Sequence, residues 1–178
     1  PASSTLLVAN EAPEPFLGPF VYGTDGSGAG NLIVATGGMR LPRTAESAVC
    51  VTDSSGNLRS RDHLFMNGAE MFTFALESVP SMVRELLRRA EKTIEEIDLF
   101  VFHQANKYML DQLRKATKIP AEKFYVALRE YGNTVSSSIP IALKLASAEK
   151  RLKAEDRVLL AGYGVGYSGG ATLIRWLG

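Results

Sequence analysis

The sequence predicts an α/β protein: a mixed, mainly parallel sheet covered by helices, behind a segment rich in strands and turns. Three observations carry that reading. Short apolar runs such as "LFVF" (residues 99–102) suit strands buried on both faces. Between them, apolar residues recur at helical spacing, which gives the alternation of a parallel sheet with right-handed crossover helices. Turn signals crowd the first third of the chain, which sets a strand- and turn-rich segment, 1–65, apart from a unit of helices and strands, 66–178. A chain of 178 residues is long enough for one real core, or for one lobe of something larger.

In chain order, strands are expected over residues 5–9, 20–24, 32–35 and 48–52. The stretches "APEPFLGP", "DGSGAGN", "TGGMRLPR" and "DSSGN" supply the turns around them. From Asn67 the period changes: Phe72, Leu76, Val79, Val83, Leu86 and Ala90 fall on one helical face. Pro80 interrupts that face, so a kink is expected there, or a second helix opening at Pro80. A strand over 99–102 and a helix over 106–117 follow, then a strand over 124–128 and a helix over 134–151. Strands over 157–162 and 171–176 close the chain, antiparallel because a short Gly-rich turn joins them.

Composition excludes several classes. With 46% hydrophobic residues, 22% charged and a net charge of +1, nothing points to nucleic acid or an anionic membrane. No apolar run approaches the ~20 residues of a membrane span. "PASSTLLVANEAPEP" lacks the basic flank and apolar core of a signal peptide. Cys50 is the single cysteine, so no intrachain disulfide forms, and a cytoplasmic protein is expected. The strand-like "STLLVANE" is preceded by almost nothing; a mature protein can begin this way, but a cut-out fragment often does.

Sites in such sheets form outside the carboxyl ends of the strands. Three polar or Gly-rich segments fall there: "HQAN" (103–106), "YGNT" (131–134) and "GYGVGYSGG" (162–170). Alone, a His at a strand end is usually structural, and an Asn or Thr before a helix is usually a cap. Placed on one edge, His103 and Asn133 can donate two hydrogen bonds to a single oxygen and stabilise charge that develops on it. Gly164, Gly166 and Gly169 imitate a dinucleotide fingerprint, but no helix follows to hold a pyrophosphate. Cys50, His103 and Asn133 imitate a cysteine-protease triad. Cys50, however, lies on a strand running into a turn, with nothing to lower its pKa, and reads as a small buried hydrophobe. His63 is given no role. Lys107, Arg114 and Lys118 share one stripe of a helix, with Lys115 nearby and Asp111 able to pair with Lys107. A solvated face is the plain reading of that stripe, and an acidic partner the sharper one.

At "FVFHQAN", "REYGNT" and "VLLAGYGVGYSGGATLIRW" the chain resembles the β-ketoacyl-[acyl carrier protein] synthase III family. These are the initiating condensing enzymes of bacterial fatty-acid synthesis, on the thiolase fold. The resemblance takes in "YGTDGSGAGNLIVATGG" and "MNGAEMFTFAL" as well, and so nearly the whole chain. It implies that this is the C-terminal half plus the last strands of the N-terminal half of a longer, two-halved enzyme. The nucleophilic cysteine belongs to the other half and is absent here, so this chain alone is expected to be inactive.

The resemblance assigns His103 and Asn133 to the thioester carbonyl of malonyl-[acyl carrier protein], where they stabilise the enolate left by loss of CO₂. The backbone N–H of Val165 matches a second oxyanion donor, and Asn106 a residue orienting the site from behind. Met66, Gly68 and Phe72 match positions near the acyl and pantetheine channel; with an acidic carrier protein as the implied partner, the helix cations Lys107, Arg114, Lys115 and Lys118 are read as its docking rim. Implied partners are acyl-CoA, acyl carrier protein, the other half and a second copy in a homodimer; no metal or redox cofactor is implied. Tyr108 replaces a common arginine, Val165 a common glycine and Gly169 a common tryptophan, which bears on docking and acyl-chain preference. Related condensing enzymes of secondary metabolism, hydroxymethylglutaryl-CoA synthase and a noncatalytic carrier-binding module share enough of the pattern to remain alternatives.

Overall fold

The computed structural model describes residues 17–177; the strand expected over 5–9 lies outside the described residues. At its centre is a five-stranded sheet of β1 (Leu17–Thr24), β6 (Leu99–Phe102), β7 (Phe124–Tyr125), β8 (Arg157–Gly164) and β9 (Ser168–Arg175). Their order is β1-β9-β8-β6-β7. β6 is parallel to β7 and β8, while β9 is antiparallel to both β8 and β1. Every strand but β9 therefore runs the same way, the mixed, mainly parallel sheet that the alternation predicts. The edge strand β1 comes from the amino-terminal side of residue 65 yet belongs to this sheet.

α1 (Gly68–Arg89) starts where Asn67 caps it, its Oδ1 accepting from the Glu70 N–H at 3.3 Å. It runs unbroken through Pro80, so the two-helix alternative does not form. Pro80 has no N–H to offer the preceding turn. The buried stripe of Ala75, Val79, Met82, Val83 and Leu86 holds the two ends of the helix on the sheet instead. α2 (Lys107–Thr117) ends at Lys118, which turns left-handed at φ +58°.

Two later elements differ from their expected spans for local reasons. β7 stops at Tyr125 because the N–H of Ala127 is taken by the Gln104 side chain and cannot join a ladder. A single turn, α3 (Leu128–Tyr131), follows. The next helix does not begin at 134, because Val135 has φ +55°, which a right-handed helix cannot contain. After a short 3₁₀ turn, α4 runs over Ser138–Ala148.

The segment between β1 and α1 holds two small sheets, β2 (Leu32–Ile33) with β5 (Phe65–Met66) and β3 (Val51–Thr52) with β4 (Leu58–Arg59). β2 and β3 are shorter than the strands expected over 32–35 and 48–52, β4 and β5 are not among the expected strands, and Ile33, Val34, Val51, Leu58 and Phe65 stay exposed. Cys50 is exposed too, its Sγ 3.9 Å from the Ala48 carbonyl, so the expectation of a small buried hydrophobe is corrected.

All of β6 is buried. Phe100 and Phe102 join the core under α1 and α2, whereas Leu99 and Val101 join the core under α4. That two-sided burial explains why the strand is apolar at every position.

Candidate active site

The ladder between β6 and β8 carries one residue past β6: the His103 N–H donates to the Ala161 carbonyl at 2.8 Å. The next residue, Gln104, is fully buried. Its Nε2 donates to the carbonyls of Phe102 at 2.7 Å and Tyr125 at 3.4 Å, and its Oε1 accepts from the Ala127 N–H at 2.7 Å. One carboxamide thus ties the carboxyl ends of β6 and β7 together with every polar atom satisfied.

That clamp presents the His103 ring to two neighbours. Nδ1 lies 2.8 Å from the hydroxyl of Ser138, the first residue of α4, and the Gln104 N–H donates to the same oxygen at 3.3 Å. Tyr163, on β8, meets the ring edge-on at 5.5 Å, and its hydroxyl donates to the His103 carbonyl at 3.5 Å. Burial pulls the imidazole pKa below its ordinary value, partly opposed by a hydrogen bond to the Val135 backbone. Near neutral pH the ring is therefore uncharged. Burial raises the Tyr163 phenol, which stays protonated.

Asn133 is linked to His103 through Val135. Its Oδ1 accepts from the Val135 N–H at 2.9 Å, which leaves the NH₂ of an exposed side chain as the donor end. The backbone of Val135 thus touches both His103 and Asn133, and the two candidates meet around one residue. Val135 does so in the left-handed region, where a β-branched side chain is a true outlier.

The Gly-rich segment is the β8–β9 hairpin. Val165 sits at its exposed tip, two residues beyond Tyr163, and a strand rather than a helix follows the glycines. Tyr167 anchors that hairpin. Its ring stacks on Phe74 at 4.2 Å, its hydroxyl accepts from Asn31 Nδ2 at 2.6 Å, and its backbone pairs with Asp25. Gly28 lies so close that a Cβ there would fall 2.2 Å from the ring, which explains the glycine.

The remaining candidates lie around the start of α1 and along α2. Asn106 is exposed and caps α2, its Oδ1 accepting from the Met109 N–H at 2.8 Å. Phe72 stacks on Tyr108 at 5.5 Å, which joins the candidate channel to α2. Met66 ends β5, exposed, and Gly68 opens α1. On α2, Lys107 pairs with Asp111 at 2.8 Å and Arg114 donates to the Ile119 carbonyl at 3.1 Å, while Lys115 and Lys118 are exposed. His63 accepts from the Ser60 N–H at 3.3 Å, away from this edge.

Sequence reasoning missed Gln104, Ser138 and Tyr163. In sequence, Ser138 reads as an ordinary serine at the start of a helix. Nothing but contact geometry marks the other two. Among the described residues no group of three or more His, Cys, Asp or Glu is placed to hold a metal ion, and no helix is long and apolar enough to cross a membrane.

A sheet of this topology, with an imidazole, a carboxamide and a Gly-rich hairpin at its carboxyl edge, defines half of a thiolase-like condensing-enzyme fold. The chain belongs to the 3-oxoacyl-[acyl-carrier-protein] synthase III family, whose C-terminal profile matches residues 87–176. It is 33% identical to the β-ketoacyl-[acyl-carrier-protein] synthase III of Synechocystis sp. over 98% of this chain and 50% of that one. A crystal structure of a 3-oxoacyl-(acyl-carrier-protein) synthase III superposes with a TM-score of 0.92 at 48% identity, over 95% of this chain and 50% of the other. The priming β-ketosynthase of the R1128 polyketide pathway superposes at 0.76 with 27% identity, over 93% and 46%. The chain spans about half the length of the curated relatives it matches.

Proposed function

We propose that this chain is the C-terminal half of a β-ketoacyl-[acyl carrier protein] synthase III, a cytoplasmic homodimer that condenses an acyl-CoA with malonyl-[acyl carrier protein]. The observation that carries the reading is the meeting of His103 and Asn133 around Val135, one ring neutral and one amide whose oxygen is occupied and whose NH₂ is left to donate. In the reaction, a cysteine of the other half takes the acyl group from CoA as a thioester. The malonyl thioester carbonyl then lies against the His103 and Asn133 donors. The bond to the carboxylate breaks, CO₂ leaves, and its electron pair becomes enolate charge on that oxygen. Two neutral donors stabilise the charge without giving up a proton. The carbanion attacks the acyl carbonyl, whose oxyanion is met by the Val165 N–H, and collapse expels the cysteine thiolate.

No electron is gained or lost and no Lewis acid is needed, so the chemistry requires neither a redox cofactor nor a metal. Without the cysteine, this chain alone forms no carbon–carbon bond. The test is His103→Ala and Asn133→Ala in the full-length enzyme. Each should slow malonyl decarboxylation ~10²–10³-fold, the usual loss for one such donor, while acyl transfer from CoA to the cysteine survives. Collapse of acylation with decarboxylation intact would reverse the assignment. The polyketide-pathway neighbour favours one second reading, a priming synthase of secondary metabolism; assaying short and branched acyl-CoA primers separates the two.

A further inference from the structure

We propose that Ser138 is a positioning residue that fixes the proton of His103 on Nε2, so that the ring faces its ligand as a hydrogen-bond donor. This deepens the reading of His103 given above and rests on it, but the tautomer is measurable without any reaction. Ser138 is 3% exposed, so water does not serve its hydroxyl. That hydroxyl has two partners, the Gln104 N–H at 3.3 Å and His103 Nδ1 at 2.8 Å. A backbone N–H only donates, so Oγ accepts from Gln104. Among the described residues, Nδ1 is then the one acceptor in reach of the hydroxyl proton. A ring nitrogen that accepts carries no proton, and in a neutral imidazole the proton sits on the other nitrogen.

The bracket is rigid on every side. Gln104 is held by its own three side-chain bonds, Ser138 opens α4, and Tyr163 is the titratable side chain packed on the ring. Protonating the ring would reverse the bond: Nδ1–H would donate to Oγ, and the serine proton would be buried with no acceptor. Leaving a buried donor unmade is costly, so the same contact resists the charged ring.

The experiment is ¹⁵N NMR of the imidazole in the 178-residue chain, which has two histidines. His63→Gln identifies the His103 signals. The expected result near pH 7 is one tautomer, with Nε2 protonated and Nδ1 bare. Ser138→Ala should give a mixture of tautomers and a ring that titrates at higher pH, and Ser138→Thr should restore the single tautomer. A wild-type ring carrying its proton on Nδ1 overturns the proposal without any variant. A folded Ser138→Ala chain with the tautomer unchanged overturns it equally. In the full-length enzyme, Ser138→Ala should lower kcat for decarboxylation about tenfold with KM unmoved, and Ser138→Thr should regain it. If His103→Ala leaves decarboxylation untouched, the reaction reading fails while the tautomer result still decides the role of Ser138.

Discussion

On one face of the central sheet, α1 and α2 together bury Phe100, Phe102, Leu159 and Leu173; on the other, α4 alone lies over Leu99, Val101, Val158 and Ile174. The helix residues of the first face, Val79, Val83, Leu86, Leu110 and Leu113, are at most 1% exposed. Both cores have a half-buried rim, Phe72, Leu76, Ile94 and Leu128 on the first face and Leu17, Ile139, Leu145, Leu160 and Trp176 around α4. An apolar cleft of about 630 Å³ extends from Ile139 and Leu160 to Phe20 and Tyr22. α4 itself has one charged residue, Lys144, and is apolar nearly all round, the pattern of a helix enclosed on every side. Two helices close the first face and a single helix the second. In our reading the remaining half of the enzyme completes the second face, and the site lies where the two meet: Ser138 holds His103 from α4's side, Tyr163 from the other.

That contrast is open to a direct test on stability, where the largest effect is expected. Phe100→Ala, in the core under α1 and α2, should destabilise the chain by ~3–5 kcal/mol, with Leu160→Ala, on the α4 face, below ~1.5 kcal/mol. Urea unfolding of this chain measures both. In the full-length enzyme the Leu160→Ala loss should grow toward the ~2–5 kcal/mol of a closed core. Equal losses in the short chain would mean that the two faces are equally complete.

Next in size is the clamp joining both faces to the site. Gln104→Ala strands the Ala127 N–H and takes a donor from the Phe102 and Tyr125 carbonyls, a loss of ~1–3 kcal/mol. It should also slow decarboxylation in the full-length enzyme, since the Gln104 backbone holds Ser138. Loss of stability with kcat intact would separate the clamp from the site.

The sheet was legible in the sequence because burial on both faces leaves a one-letter trace: "LFVF" has no polar residue to confuse the period. Strand ends were not legible. Whether 124–128 continues as a strand depends on a side chain 23 residues earlier, Gln104, reaching Ala127. The start of α4 depends on Val135 adopting a conformation its side chain opposes, which propensity argues against. Pro80 misled in the opposite direction, because burial of the stripe around it outweighs the lost hydrogen bond. His103 and Asn133 could be picked out by their shared sheet edge. Ser138 could not, since a serine opening a helix is ordinarily just a cap.

A smaller effect concerns pH. The folded His103 ring has a pKa lowered from 6.5, chiefly by burial, so as pH falls the unfolded chain takes up this proton first. Its contribution to stability is complete above the unfolded value and is lost as pH drops through the folded one. The difference in stability between the wild-type chain and His103→Gln should therefore shrink on acidification through the range just below 6.5. Denaturant midpoints at several pH values measure it; a difference that widens instead would mean that the folded ring is charged.

The smallest effect belongs to the exposed cations on and beside α2. Acyl carrier proteins are acidic, and complementary charge chiefly speeds encounter. Of the four cations on or beside α2, Lys107 is already paired with Asp111, and Arg114 is spent on the Ile119 carbonyl that closes the helix. Reversing Arg114 would therefore disturb the fold as well as the charge, which makes it a poor probe. Lys115 and Lys118 are exposed and carry the positive potential that remains. Tyr108, stacked on Phe72, adds an aromatic surface but no charge. Lys115→Glu combined with Lys118→Glu in the full-length enzyme should raise KM for malonyl-[acyl carrier protein] severalfold and leave kcat unchanged. Turnover of malonyl-CoA, which lacks the acidic protein, should not move. Added salt should erase the difference, since exposed charges are screened over ~8–10 Å at ordinary ionic strength. Equal losses with both substrates would place the damage in the pocket and remove α2 from the docking surface.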